Sequence, residues 1–121
     1  MILGHSKGGI IGKTMMLDTD TGGRIDRMVT VNSPFSGSRW ARFAPNPSIR
    51  VFRTTDRHLL RLADRLDVNS RITSLGARAD LHVPEGSHLP GARNVTLPVD
   101  GHFRPLGHPA SRAAILAALL D

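Results

Sequence analysis

The sequence predicts an α/β protein with a mostly parallel sheet of about four strands flanked by helices. Three observations support this fold class. Short apolar runs alternate with segments of helical periodicity, the first run passes through a glycine-rich turn into a helix, and the chain ends in a long apolar helix-forming segment. Strands that alternate with helices are typical of parallel sheets, because each crossover returns the chain to the same end of the sheet.

The composition fits one globular domain. The chain has 121 residues, of which 40% are hydrophobic, enough for one core and too few for two. Because there is no cysteine, disulfides, thiolate metal sites and cysteine nucleophiles are excluded. No apolar run has membrane-spanning length and the N-terminus lacks signal-peptide features, so the default expectation is a cytoplasmic protein, with secretion left open.

The positive charge does not by itself predict a nucleic-acid partner. The net charge is +6 and arginine supplies most of it, yet the arginines are scattered from Arg24 to Arg112 and few aromatic residues accompany them. A solvated surface explains this pattern better. Nucleic-acid binding is therefore the third hypothesis, and its signature would be a steep dependence on salt.

The first element is a short apolar strand at residues 1–3, followed by the turn Gly-His-Ser-Lys-Gly at residues 4–8. This Gly-x-Ser-x-Gly pattern is typical of a nucleophile elbow, which lifts the serine hydroxyl out at the end of a strand, above a helix N-terminus. The turn forces Ser6 into a sparsely allowed backbone conformation. We expect a Cβ at Gly4 or Gly8 to clash, which would explain both glycines.

The helix predicted from residue 7 to about residue 17 has one competing interpretation. Residues 8–14 resemble the phosphate-binding loop Gly-x-x-x-x-Gly-Lys-Thr, but Lys7 stands where its first glycine should be. The next strand, predicted at residues 26–32, ends in Asn32 where a magnesium ligand would be aspartate. The phosphate-loop alternative is thus the weaker one.

Residues 39–70 are predicted to be irregular and form a candidate cap or insert segment. An extended run is expected at residues 49–52 and an amphipathic helix at residues 56–66. Trp40 and Phe43 either line an acyl-binding surface or make core contacts.

The last strands are predicted at residues 71–76 and 94–99, and a terminal helix at residues 109–120 begins with proline.

Ser6, Asp80 and His102 each come just after a strand, so in a parallel sheet they should meet at one edge. Serine, acid and histidine in this order match the α/β-hydrolase triad. Histidine would act as general base and aspartate would orient it. Asp100 competes for the acid role but lies only two positions from His102.

The chain resembles the C-terminal half of an α/β-hydrolase of the bacterial lipase and esterase type. The resemblance is carried by residues 4–9, 31–38 and 79–84, and by residues 91–95 leading to 101–102. It implies a partial α/β-hydrolase fold as a single truncated domain over residues 1–121. It also implies lipid or ester substrates, no metal and no cofactor. By family pattern Ser6 is the nucleophile, Asp80 the acid and His102 the base, while the backbone N–H of Lys7 is one oxyanion-hole donor.

Members of this family have several strands before the elbow. We therefore expect the first strand to form an exposed edge. We also expect the chain to be a truncated product, the result of a mis-called start or one part of a split enzyme. A non-catalytic interaction module, pairing with an N-terminal partner chain or with itself, is the alternative to an ester hydrolase. The remaining histidines are expected to pack beside the elbow (His5) or to lie on the surface without a metal (His82, His88 and His108).

Overall fold

The computed structural model describes residues 1–20 and 22–121. Its four strands form one entirely parallel sheet in the order β1-β2-β3-β4, with helices on both faces, so the predicted α/β fold class is confirmed. The elements are β1 (Ile2–His5), α1 (Lys7–Thr14), a π-helical turn (Met15–Thr19), β2 (Met28–Val31), a 3₁₀ turn (Arg39–Phe43), α2 (Pro47–Arg50), α3 (Arg57–Asp64), a second 3₁₀ turn (Asn69–Arg71), β3 (Ile72–Ala77), β4 (Arg93–Leu97), α4 (Arg104–Gly107) and α5 (Pro109–Leu120).

The core has one apolar cluster on each face of the sheet. Within β2, Met28 belongs to the cluster under α1 and α3, whereas Val29 and Val31 belong to the cluster under α5. This follows from the alternation of side chains along a strand. All four residues of β2 are buried, as expected for an inner strand of a parallel sheet that is covered on both faces.

Strand β1 is an edge of the sheet, as predicted. It pairs only with β2 among the described strands, with His5 opposite Val31. The amide of Ile2 donates to the carbonyl of Arg27, just before β2, at 3.1 Å, and the amide of Ser6 donates to the carbonyl of Val31 at 2.9 Å. By alternation along the strand, the amides of Leu3 and His5 point to the open side. The Leu3 side chain is 53% exposed.

Helix α5 covers the second face and contacts β2 and β4. Its bounds match the predicted terminal helix. Within residues 1–20 and 22–121, none of the helices combines the length and the apolar character needed to cross a bilayer.

The region between β2 and β3 differs from the prediction. The extended run expected at residues 49–52 is wrong, because the chain forms helix α2 over Pro47–Arg50 and then turns. The side chain of Asn46 caps this helix by accepting from the Ser48 amide at 2.9 Å, and Pro47 occupies its first turn. Local capping thus outweighed the β-branched residues that favoured a strand.

The phosphate-loop alternative is also wrong. Residues 8–14 are helical, and the Lys13 amine points into the protein, where it donates to the carbonyl oxygen of Leu62 at 2.8 Å. Lys13 is only 1% exposed, and desolvation by burial lowers its pKa to about 8. An inward-facing lysine cannot hold a phosphate outside the loop.

Candidate active site

Ser6 lies between β1 and α1 in a strained conformation, with φ 51° and ψ −120°. Positive φ is costly for a residue with a side chain and persists only where the surrounding structure imposes it. Here the Ser6 amide donates to the Val31 carbonyl at 2.9 Å, and the Ser6 carbonyl accepts from the Gly9 amide at 3.1 Å. These two bonds hold the turn between strand and helix.

The glycines around Ser6 have different roles from those predicted. A Cβ at Gly4 would lie 2.7 Å from the backbone carbon of Gly8, so glycine is required there. A Cβ at Gly8 would meet nothing within 4 Å, and the clash predicted for that position is wrong. The second close approach is at Gly9, where a Cβ would lie 2.1 Å from Ser33 Oγ.

The structure brings Ser6, Asp80 and His102 together at the carboxyl ends of the strands. His102 Nε2 lies 2.9 Å from Ser6 Oγ, and His102 Nδ1 lies 2.6 Å from Asp80 Oδ2. The side chains of His102 and Asp80 are 6% and 4% exposed. This row of contacts allows a proton to move from the serine hydroxyl to the imidazole, while the carboxylate fixes the tautomer of the ring.

Asp80 is held in place by its own loop. Its Oδ1 accepts from the amides of His82 at 2.8 Å and Val83 at 3.2 Å, which leaves Oδ2 for His102. Asp100, the alternative acid, instead faces Arg78 on the surface at 3.2 Å. Asp80 is therefore the carboxylate that contacts the imidazole.

Two residues that the sequence did not identify as important hold the backbone of His102. Asn32 is fully buried at φ 49°, and its Nδ2 donates to the carbonyl oxygens of Gly101 at 3.1 Å and His102 at 2.9 Å. Its Oδ1 accepts from the Ala77 amide at 2.8 Å. His5, expected only to pack beside the elbow, places its Nε2 2.9 Å from the same His102 carbonyl.

The Lys7 amide begins helix α1, beside Ser6. Within the described ranges, no acceptor is hydrogen-bonded to this N–H, as is usual for the first amides of a helix. A free amide next to Ser6 can donate to negative charge that develops there. The Lys7 amine lies over the ring of Phe52, 5.8 Å from its centroid.

A mostly apolar cavity of about 340 Å³ opens in front of Ser6. Trp40 lines it, whereas Phe43 is 65% exposed and does not. The predicted cap segment thus contributes to the cavity, and core contacts for Trp40 and Phe43 are ruled out because both are exposed. The lining residues are Ser6, Pro34, Ser38, Trp40, Ala41, Ile49, Phe52, Leu81, His82, Val83, His102 and Phe103.

Comparison with known protein families, with curated proteins and with solved structures found no match. The assignment of a function therefore depends on the geometry of the site itself.

Three rings surround the imidazole of His102. The ring centroids of His5 and His82 each lie 4.9 Å from that of His102. The Phe103 ring is also 4.9 Å away and makes an edge-to-face contact with the imidazole. His82 was predicted to be a surface residue, and its side chain is 66% exposed. Its position beside His102 nevertheless makes it part of the site, which chain spacing alone could not indicate.

Proposed function

We propose that this protein is a serine hydrolase of the α/β-hydrolase type that cleaves carboxylic esters through an acyl-enzyme on Ser6. The observation that carries the proposal is the continuous chain of contacts from Asp80 through His102 to Ser6, at 2.6 and 2.9 Å. The strained backbone of the serine adds support, because strain of this kind is concentrated at functional sites.

Each step of the proposed reaction uses a group already described. His102 Nε2 takes the Ser6 proton as Ser6 Oγ attacks the ester carbonyl, and the Lys7 amide donates to the oxyanion. Collapse of the tetrahedral intermediate expels the alcohol, which receives the proton from His102. Water then attacks the acyl-enzyme by the same route in reverse, releasing the acid and restoring Ser6. Asp80 keeps the ring oriented and balances its charge.

The lining of the cavity supports an apolar acyl or alcohol group as the bound part of the substrate. The side chains that face this space include Trp40, Ile49, Phe52 and Leu81. Apolar pockets with a few polar groups are typical of small-molecule sites. Esters of lipid or similar apolar character are therefore the proposed substrate class.

The test is incubation with a fluorophosphonate followed by measurement of the intact mass. Attack by Ser6 Oγ on phosphorus with loss of fluoride should add one phosphonyl group per chain. Ser6→Ala should remove the adduct, whereas Ser70→Ala, at an exposed serine before β3, should keep it. An unlabelled wild-type chain, or an adduct that survives Ser6→Ala, would refute the proposal.

A second candidate function is that of an interaction module, and the open edge of β1 favours it. Beside this edge, an apolar groove of about 570 Å³ runs between Leu3 and residues of α5 such as Leu116 and Leu119. An unpaired strand next to apolar side chains is suited to strand addition by another polypeptide. Native mass spectrometry would show dimers or a bound partner chain, and Leu3→Glu should abolish them if the edge is the contact.

A further inference from the structure

We propose that Asp80, His82 and His102 form a binding site for one Zn²⁺ ion, and that the bound ion switches off the hydrolase reaction. The ligand atoms of these three residues all lie within 4.8 Å of one another. The second half of this inference rests on the proposed function, while the metal site itself does not.

The types of ligand favour zinc over harder cations. Two imidazole nitrogens and one carboxylate oxygen are a common zinc set, and a fourth position stays open for water. Magnesium and calcium prefer oxygen ligands in greater number. The site therefore distinguishes between the two classes of ion.

His82 is the residue that makes the cluster more than a pair of hydrogen-bonded side chains. Its backbone is fixed, because its amide donates to Asp80 Oδ1 at 2.8 Å and its carbonyl accepts from Ser38 Oγ at 2.7 Å. Its ring is largely exposed, with Nδ1 3.8 Å from Asp80 Oδ1. In the described part of the chain, no hydrogen bond restrains that ring, so a ligand can reorient it.

A small movement closes the site. Ligand atoms at about 2.0–2.2 Å from a tetrahedral zinc lie about 3.3–3.5 Å from one another. The ligand atoms of the three residues now lie up to 4.8 Å apart, so the widest of these separations must shrink by somewhat more than about 1 Å. Rotation of the exposed His82 ring about its side-chain bonds supplies such a shift. Asp80 and His102 are already in contact at 2.6 Å and only need to spread slightly.

Zinc bound here would block catalysis through the imidazole. A neutral imidazole offers one nitrogen lone pair, and the other nitrogen carries the proton. The working tautomer keeps the proton on Nδ1, facing Asp80, and leaves the lone pair of Nε2 for Ser6. If the metal takes Nδ1, that proton moves through solvent to Nε2, and Nε2 can no longer accept the Ser6 proton. The ion also occupies the carboxylate that would stabilise the charged ring.

The binding test uses Zn²⁺ alone in isothermal titration calorimetry, with protein free of a polyhistidine tag. Ser6→Ala protein should bind one ion per chain, and adding His82→Gln should weaken binding at least tenfold. The matched control is His88→Gln, the same substitution at another exposed histidine of the connection between β3 and β4, which should bind as before. Mg²⁺ should not compete.

The activity test measures the rate of fluorophosphonate labelling with and without Zn²⁺. Zinc should slow labelling of the wild-type chain at least tenfold, and a chelator should restore the original rate. In His82→Gln, the ratio of the labelling rate without zinc to the rate with zinc should fall towards one. Absence of saturable zinc binding, or binding that His82→Gln leaves unchanged, would overturn the site. Zinc binding that depends on His82, in a chain that is not labelled even without zinc, would support the site and refute the hydrolase proposal.

Discussion

The side-chain amide of Asn32 donates to the carbonyl oxygen of His102 at 2.9 Å, which joins the end of β2 to the loop that carries the imidazole. Asn32 and Ser6 follow the paired residues Val31 and His5 in neighbouring strands, and both have φ near 50°. Two strained residues side by side thus set the positions of the hydroxyl and of the ring that contacts it.

Asn32→Asp should lower the rate of fluorophosphonate labelling by about tenfold to a hundredfold, because, in the proposed reaction, small misplacements of the imidazole cost that much. The variant keeps an acceptor for the Ala77 amide, but it replaces the donor to the Gly101 and His102 carbonyls with a carboxylate oxygen, which those carbonyl oxygens repel. Circular dichroism would establish that the variant is folded before rates are compared. Equal rates in folded protein would show that Asn32 does not position His102.

His5 offers a milder test of the same contact. In His5→Gln the side-chain amide can still donate to the His102 carbonyl, whereas His5→Phe keeps the ring packing against His102 and loses the bond. We expect His5→Gln to label at nearly the wild-type rate and His5→Phe to label several-fold more slowly. If both variants label at the wild-type rate, the His5 side chain is not needed to hold that carbonyl, and if both label equally slowly, the packing and the hydrogen bond both contribute.

The glycines of the turn make a matched pair for stability. Gly9→Ala should reduce the free energy of unfolding by about 1–3 kcal/mol, as overpacking typically does, because the new Cβ meets buried Ser33. Gly8→Ala has open space and should be neutral or add up to about 1 kcal/mol of helix propensity. Urea denaturation of both variants measures the difference, and the reverse order would contradict the packing described.

Buried Lys13 predicts a dependence of stability on pH. Burial lowers its pKa from 10.5 to about 8, so between these values the unfolded chain binds the proton that the folded chain has released. The free energy of unfolding should therefore rise from pH 8 to pH 10.5, by up to about 3 kcal/mol. Lys13→Met should remove this rise, while Lys7→Met, at an exposed lysine, should retain it. Urea titrations across this pH range provide the measurement.

Much of the fold could be predicted because it depends on local patterns. The apolar runs of the strands and the proline that opens α5 predict those elements, and strand order explains why Asp80 and His102 reach Ser6. The helix at Pro47–Arg50 was missed although its signal was local: Asn46 and Pro47 form a cap and a first turn.

The details of the site could not be predicted from local patterns. Asn32 and Ala77 are far apart in the chain and meet only because β2 and β3 are paired. Likewise, the close approach falls at Gly9 rather than Gly8 because of Ser33, which lies on a different element. Such contacts depend on which residues stand side by side where neighbouring strands end, and the spacing of residues along the chain does not predict this.

Among the strands of residues 1–20 and 22–121, β1, which leads into Ser6, has a single neighbour. Residues 2–5 are tied to the sheet by one ladder of hydrogen bonds, whereas β2 and β3 have two each. On warming, β1 should detach while the inner strands still hold, so the reactivity of Ser6 should be lost several degrees below the main melting transition. Loss of Ser6 labelling on heating would then report the release of one strand rather than global unfolding.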